Sequence, residues 1–323
     1  MINLLIAAII LAAIELAYFK LADKYNIIDK PNQRSSHKAI TLRGGGVIFL
    51  FAIWLYAAFY GFNYPLFLLG ITLIAVISFA DDVAPIPNKV RICIHFLSMI
   101  LMLGQLGLLN YDMWYWAIVA LIICTYIINA FNFMDGINGM TGGYSLAVLL
   151  PLAVANSKIC VVDQNLIYML MLSVMIFSFF NFRKKAKCFA GDVGAVTIAF
   201  AIIFLIFTFV LKTDNLLWIM LLVVYGIDSV MTILHRLLLK ENIFKAHRKH
   251  AYQLMANELK MPHVAVAGIY AGGQLIVSVG LMFLNVNKWF YSIVVIVTLS
   301  IVYIIFINKN YHLHEEYLRA QNN

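Results

Sequence analysis

Charge is what this chain has least of. Asp, Glu, Lys and Arg make up 12% of its 323 residues, where soluble domains carry roughly a quarter. With 63% hydrophobic residues and a mean hydropathy of +0.90, this excludes a soluble globular protein. Cysteine is also sparse. Cys93, Cys124 and Cys160 fall in or beside apolar stretches and Cys188 in a basic loop, so no disulfide framework is supported. No linker rich in Pro, Ser or Gly divides the chain and no internal repeat is evident, so residues 1–323 read as one domain. The first apolar stretch lacks a basic leader and a small-residue cleavage site, and Glu15 lies inside it. It reads as a retained helix, not as a signal peptide.

What is present is a series of apolar stretches near the roughly 20 residues needed to cross a bilayer. They lie at about 2–22, 44–61, 64–80, 92–110, 114–131, 140–157, 164–182, 193–211, 215–235, 263–284 and 288–308. The expected fold is therefore all-α, a polytopic membrane protein with about 11 transmembrane helices. Of the 23 Lys and Arg, all but Lys158, Lys212 and Lys288 fall in alternate loops on one side. That asymmetry predicts a cytoplasmic basic face and a cytoplasmic C-terminus. It also accounts for the net charge of +8 without nucleic acid as a partner. The outer loops are short and the inner ones long and polar, so function is expected at the cytoplasmic face.

Five inner segments carry the chemistry. "DKPNQRSSHKAITLRGGG" combines Arg34, His37 and Arg43 with Gly44, Gly45 and Gly46, which suits either a phosphate on exposed backbone N–H groups or a close helix contact. "SFADDVAPIPNKVR" leaves Asp81 and Asp82 at the end of an apolar helix. Carboxylates there oppose the macrodipole and need solvent, a cation or a partner such as Lys89 or Arg91. "NAFNFMDGIN" places Asn129, Asn132, Asp135 and Asn138 after an apolar run, with Gly136 and Gly139 expected to break the helix. Such side chains ligate cations, read nucleobase edges or cap turns. "FAGDVGAV" frames Asp192 with glycines, as an N-cap or a ligand for a hard cation. "KAHRKHAYQ" gathers His247, Arg248 and His250 with Lys245 and Lys249, a set better suited to anions than to zinc.

Carboxylates and amides for a divalent metal, with cations for phosphates, describe together a site for a phosphorylated nucleotide on one membrane face. A transporter or flippase of lipid-linked sugar is the rival reading. Its ionisable groups are expected mid-helix near the bilayer centre, and few appear: Glu15 in the first stretch, His95 near the start of the fourth and Asp228 in the ninth.

In order and placement, "DDVAPIP", "NAFNFMDGIN", "FAGDVGA" and "HRKHAYQ" resemble the motifs of the polyprenyl-phosphate N-acetylhexosamine-1-phosphate transferases, glycosyltransferase family 4. "RSSH", "TLRGGG" and "HRKHAYQ" look most like the O-antigen-initiating branch. The resemblance implies transfer of N-acetylhexosamine-1-phosphate from a UDP-sugar to polyprenyl (undecaprenyl) phosphate, with release of UMP. It further implies Mg²⁺, with Mn²⁺ as a substitute, held by Asp192 and Asn132. Asp81 and Asp82 would lie near the lipid phosphate, and Asp135 and Asn138 would contact uridine. His247, Arg248, His250 and Arg43 would hold diphosphate or sugar. The implied setting is the bacterial cytoplasmic membrane, with a homodimer as a candidate assembly. "HRKH" departs from the three-His motif of the peptidoglycan-precursor branch, which argues against a muramoyl-pentapeptide donor, and the longer sugar-reading insertion of the eukaryotic branch is also absent.

Overall fold

In a computed structural model, residues 2–29, 40–110, 112, 114–243 and 247–322 are described. The expected contributions of Arg34, His37 and Lys245 lie outside them. The helices are α1 (Ile2–Lys24), α2 (Ile48–Tyr60), α3 (Pro65–Val83), α4 (Asn88–Gln105), α5 (Trp114–Met134), α6 (Met140–Ile159), α7 (Gln164–Asn181), α8 (Gly191–Thr213), α9 (Val223–Leu238), α10 (Ala251–Gln253), α11 (His263–Phe283) and α12 (Lys288–Asn322). Each of the eleven apolar stretches coincides with one of them, and α10 is a short addition in the loop between α9 and α11. A 3₁₀ turn, Leu216–Leu222, leads into α9, and Asn215 caps it by accepting the N–H of Leu217 at 3.0 Å.

Among the described residues, eight segments are long and apolar enough to cross a membrane, so the protein is a multi-pass membrane protein. α2, α4 and α6 stand where helices were expected but fall short of that mark. α2 with its leading turn covers only Gly45–Tyr60, α4 begins with Asn88, Lys89 and Arg91, and α6 contains Pro151 and Asn156.

The helix that organises the rest is α8. Every residue from Val193 to Phe209 is buried, and a helix apolar on all sides belongs at the centre of a bundle. α3 packs against α4 and α8, and α5 against α8. Phe67 of α3 stacks on Phe204 of α8 at 4.1 Å between ring centroids. This packing brings the C-terminal ends of α3 and α5 to the N-terminus of α8.

A two-stranded antiparallel ribbon, β1 (Ile28–Asp29) with β2 (Thr41–Leu42), closes the same end. Leu42 accepts the N–H of Phe189 at 2.8 Å. That stitches the ribbon to the segment leading into α8.

Candidate active site

Arg43 follows directly on β2, and its backbone is fixed on both sides. Its N–H donates to the Ile27 carbonyl at 3.0 Å, and its own carbonyl accepts the Tyr18 hydroxyl at 2.5 Å. The guanidinium then reaches across to two carboxylates, Asp82 Oδ1 at 2.6 Å and Asp192 Oδ1 at 3.1 Å. Arg91, on the first turn of α4, meets Asp81 Oδ2 at 2.7 Å and Asp192 Oδ2 at 3.6 Å. Asp81 also accepts the Ile86 N–H at 2.8 Å, which turns the chain from α3 into α4. Three carboxylates thus share two guanidiniums. The cluster keeps one formal negative charge and stays attractive to a cation.

Sequence reasoning left two functions open for Asp192, and the local geometry separates them. The residue before α8 is Ala190, which offers no side-chain cap. The first-turn N–H groups of Asp192 and Val193 donate instead to Asp82, at 3.0 and 2.9 Å. The Asp192 side chain is therefore not an N-cap and is free to face the cluster. Asp82 pairs with Arg43, not with Lys89 or Arg91, and its side chain is fully buried.

Gly44–Gly46 is a close backbone contact and not a phosphate cradle. The N–H groups of Gly45 and Gly46 donate to the carbonyls of Phe189 and Ala190 at 2.9 and 3.1 Å, which leaves neither for an anion. A Cβ on Gly46 would come within 2.1 Å of the Gly194 Cα. Only glycine at that position lets this turn touch α8.

A cavity of about 100 Å³ opens beside the cluster, lined among others by Arg91, His95, Asn129, Asn132 and Asp192. The opening stretch divides in two here. α5 runs on to Met134 before the chain breaks, with Gly139 at a positive φ of 85°. The Asn129 and Asn132 side chains belong to the helical part and line the cavity. Asp135 and Asn138 belong to the turn and do not line it. The Asp135 carboxylate accepts the Thr141 hydroxyl at 2.5 Å, and the Asn138 amide donates to the Arg183 carbonyl at 2.9 Å. Burial pushes the Asp135 carboxyl up to about 8, the negative charges of Asp192 and Asp82 add to the rise, and the Thr141 hydrogen bond opposes it.

The "HRKHAYQ" segment lies against this stretch through its two histidines and Tyr252. The His247 and His250 rings sit 6.2 and 6.3 Å from Phe133, between Asn132 and Asp135 in sequence. The Tyr252 hydroxyl donates to the Phe133 carbonyl at 2.7 Å. His250 Nδ1 lies 3.2 Å from Asp228 Oδ1, and its Nε2 is buried with no partner among the described residues. Burial, reinforced by His250, lowers the pKa of His247 to about 3, so this ring is neutral. Arg248 points elsewhere, onto Glu258 at 2.9 Å. The structure does not bring it to the phosphate-holding position expected from sequence.

Two neighbours of Asp192 were missed as site residues, Arg91 and His95. Their i, i+4 spacing on one face of α4 was the available signal.

A family model described as glycosyl transferase family 4 matches residues 64–210. That span holds Asp81, Asp82, Asn132, Asp135, Asn138 and Asp192. Residues 64–210 are thus similar to glycosyl transferase family 4. Similar proteins match over a longer part of the chain. The probable undecaprenyl-phosphate N-acetylglucosaminyl 1-phosphate transferase of Bacillus subtilis (strain 168) is 25% identical over 266 residues, which is 73% of this chain and 72% of its own length. The undecaprenyl-phosphate α-N-acetylglucosaminyl 1-phosphate transferase of Escherichia coli (strain K12) is 26% identical over 292 residues, 81% of this chain and 78% of its own. The Salmonella typhi protein of the same description is 25% identical over 265 residues, 73% and 71% of the two chains.

Proposed function

We propose that this protein transfers an N-acetylhexosamine-1-phosphate from a UDP-sugar to polyprenyl (undecaprenyl) phosphate at the cytoplasmic face of a bacterial inner membrane. One observation carries the reading. Residues from three distant segments, Arg43, Asp81 with Asp82, and Asp192, meet at one end of the bundle beside a cavity that also holds Asn132. An oxygen of the lipid phosphate attacks the sugar-bearing phosphorus. The bridging P–O bond of the diphosphate breaks, and UMP leaves. Initiation of O-antigen or a related surface polysaccharide is the corresponding physiological role.

The donor set suits a magnesium ion. Among the described residues, no three His, Cys, Asp or Glu side chains converge to cage a metal. Mg²⁺ characteristically takes one or two protein oxygens and fills the rest of its shell with phosphates and water. Asp192 and Asn132 are the oxygens on offer. Bound there, Mg²⁺ would neutralise charge building up on the donor diphosphate.

The chain's own residues do the positioning on which phosphoryl transfer mostly depends. Asp82 fixes the start of α8 and hence Asp192. Arg43 and Arg91 hold the carboxylates apart and offer positive charge to incoming phosphates. His247 and His250 wall the site on the α5 side.

The reading is tested by incubating purified protein with undecaprenyl phosphate, Mg²⁺ and a panel of UDP-N-acetylhexosamines. Release of UMP with at least one donor is expected. No turnover with any donor would favour a lipid-linked sugar flippase that only binds at this face.

A further inference from the structure

α12 is longer than any membrane needs. Its 35 residues span about 52 Å at 1.5 Å per residue, against a hydrocarbon core of roughly 30 Å. The excess carries Tyr311, His314 and Tyr317, which recur every three residues and share one helix face. That face is covered, with His314 buried, whereas His312, Glu315 and Glu316 between them are exposed.

The cover is the loop that carries the histidines. Arg248 lies over the Tyr317 ring at 4.4 Å and pairs with Glu258 Oε1 at 2.9 Å. The same Glu258 oxygen is 2.9 Å from His314 Nδ1. Lys249 donates to the Tyr311 hydroxyl at 2.8 Å and pairs with Glu241. Glu241 in turn meets Arg236 at the end of α9, at 3.2 Å. From the membrane side, Asp228 holds His250 and accepts the N–H of Ala251 and the hydroxyl of Tyr270, at 3.2 and 2.5 Å. The four residues of "HRKH" therefore divide by direction. His247 and His250 face Phe133, while Arg248 and Lys249 face α12.

We propose that the cytoplasmic extension of α12 is a brace for the active-site wall, and that Arg248 and Lys249 are positioning residues, not ligands for phosphate. The physical reason is entropic. A loop of this length would sample many arrangements, and each ion pair or ring contact to a rigid helix removes some of them before substrate arrives. The brace rests on the proposed transferase reading only for its kinetic consequence, because its structural consequence is measurable without substrate.

The test compares full-length protein with three double variants: His314→Ala with Tyr317→Ala, the conservative His314→Asn with Tyr317→Phe, and a control, His312→Ala with Glu316→Ala, on the exposed face. Two readouts are taken. The first is hydrogen exchange of amides 249–258 in detergent, with amides of α8 as an internal reference. The second is the KM and kcat of UMP release with UDP-N-acetylglucosamine and undecaprenyl phosphate. The alanine pair is expected to speed exchange of 249–258 with α8 unchanged. It should also raise KM for the nucleotide sugar about tenfold with kcat changed less, as a slightly misplaced binding wall does. The conservative and control pairs should behave as wild type. Unchanged exchange in the alanine pair overturns the brace, and so does faster exchange with unaltered KM. If wild type itself gives no UMP, the transferase reading fails, and exchange alone then decides whether the brace exists.

Discussion

Asp82 caps the helix that carries Asp192, although 110 residues of chain separate them. Its two oxygens take the first-turn N–H groups of α8, which are donors without a partner in their own helix and mark its positive end. A carboxylate that is unfavourable at the C-terminus of α3 is thereby stabilised at the N-terminus of α8, with Arg43 supplying the balancing charge. Asp82→Ala would leave those donors unpaired and Arg43 with Asp192 alone. It is expected to lower stability by about 3 kcal/mol and to abolish UMP release. Asp82→Asn should keep part of the cap and lose less. Thermal unfolding in detergent, read beside activity, distinguishes the two.

Arg43 bridges two carboxylates through different nitrogens of one planar group, which a lysine ammonium cannot reproduce. Arg43→Lys should therefore fold with nearly the wild-type melting temperature and lose about 100-fold in kcat/KM. A lysine variant with wild-type kinetics would show that only the charge is needed.

Gly46 has no space for a methyl group, because the obstacle is the backbone of α8 itself. Gly46→Ala should push the turn away from α8, carry Arg43 away from Asp192, and cost both stability and activity. Gly226→Ala is the matched control, since a Cβ there meets nothing within 4 Å. Melting temperatures of the two variants give the comparison directly.

Asp135 supplies a pH signature. Its carboxyl is raised from 3.8 to about 8 in the folded protein, so folding favours the protonated form. The stabilisation is complete below about 4 and is lost as pH rises through about 8. Between pH 7 and 9 the melting temperature of wild type should fall about 3 °C further than that of Asp135→Asn, whose side chain cannot ionise. Parallel melting curves would place the alkaline sensitivity elsewhere.

The helices were legible because a bilayer demands long apolar runs, and all eleven stretches appear as helices. The carboxylates were legible because Asp81 and Asp82 sit at a helix C-terminus, where the macrodipole opposes them, and because glycines frame Asp192. Partners were harder to read. The pairing of Asp82 with Arg43, and not with nearby Arg91, depends on the ribbon that aims Arg43, and two residue pairs of strand leave almost no trace in sequence. Direction was hidden as well. Nothing in "HRKH" reveals that Arg248 turns toward Tyr317, far along the chain on α12, nor that the turn at Gly136 and Gly139 takes Asp135 and Asn138 out of the cavity lined by Asn129 and Asn132.

Asp192 is where the guanidiniums, the cavity and the proposed metal converge, and its side chain is partly exposed and caps nothing. Replacing it tests the central claim with little risk to the fold. Purified Asp192→Asn should melt within a few degrees of wild type and release no UMP at any Mg²⁺ concentration. Mg²⁺-dependent turnover at the wild-type rate in that variant would contradict the account.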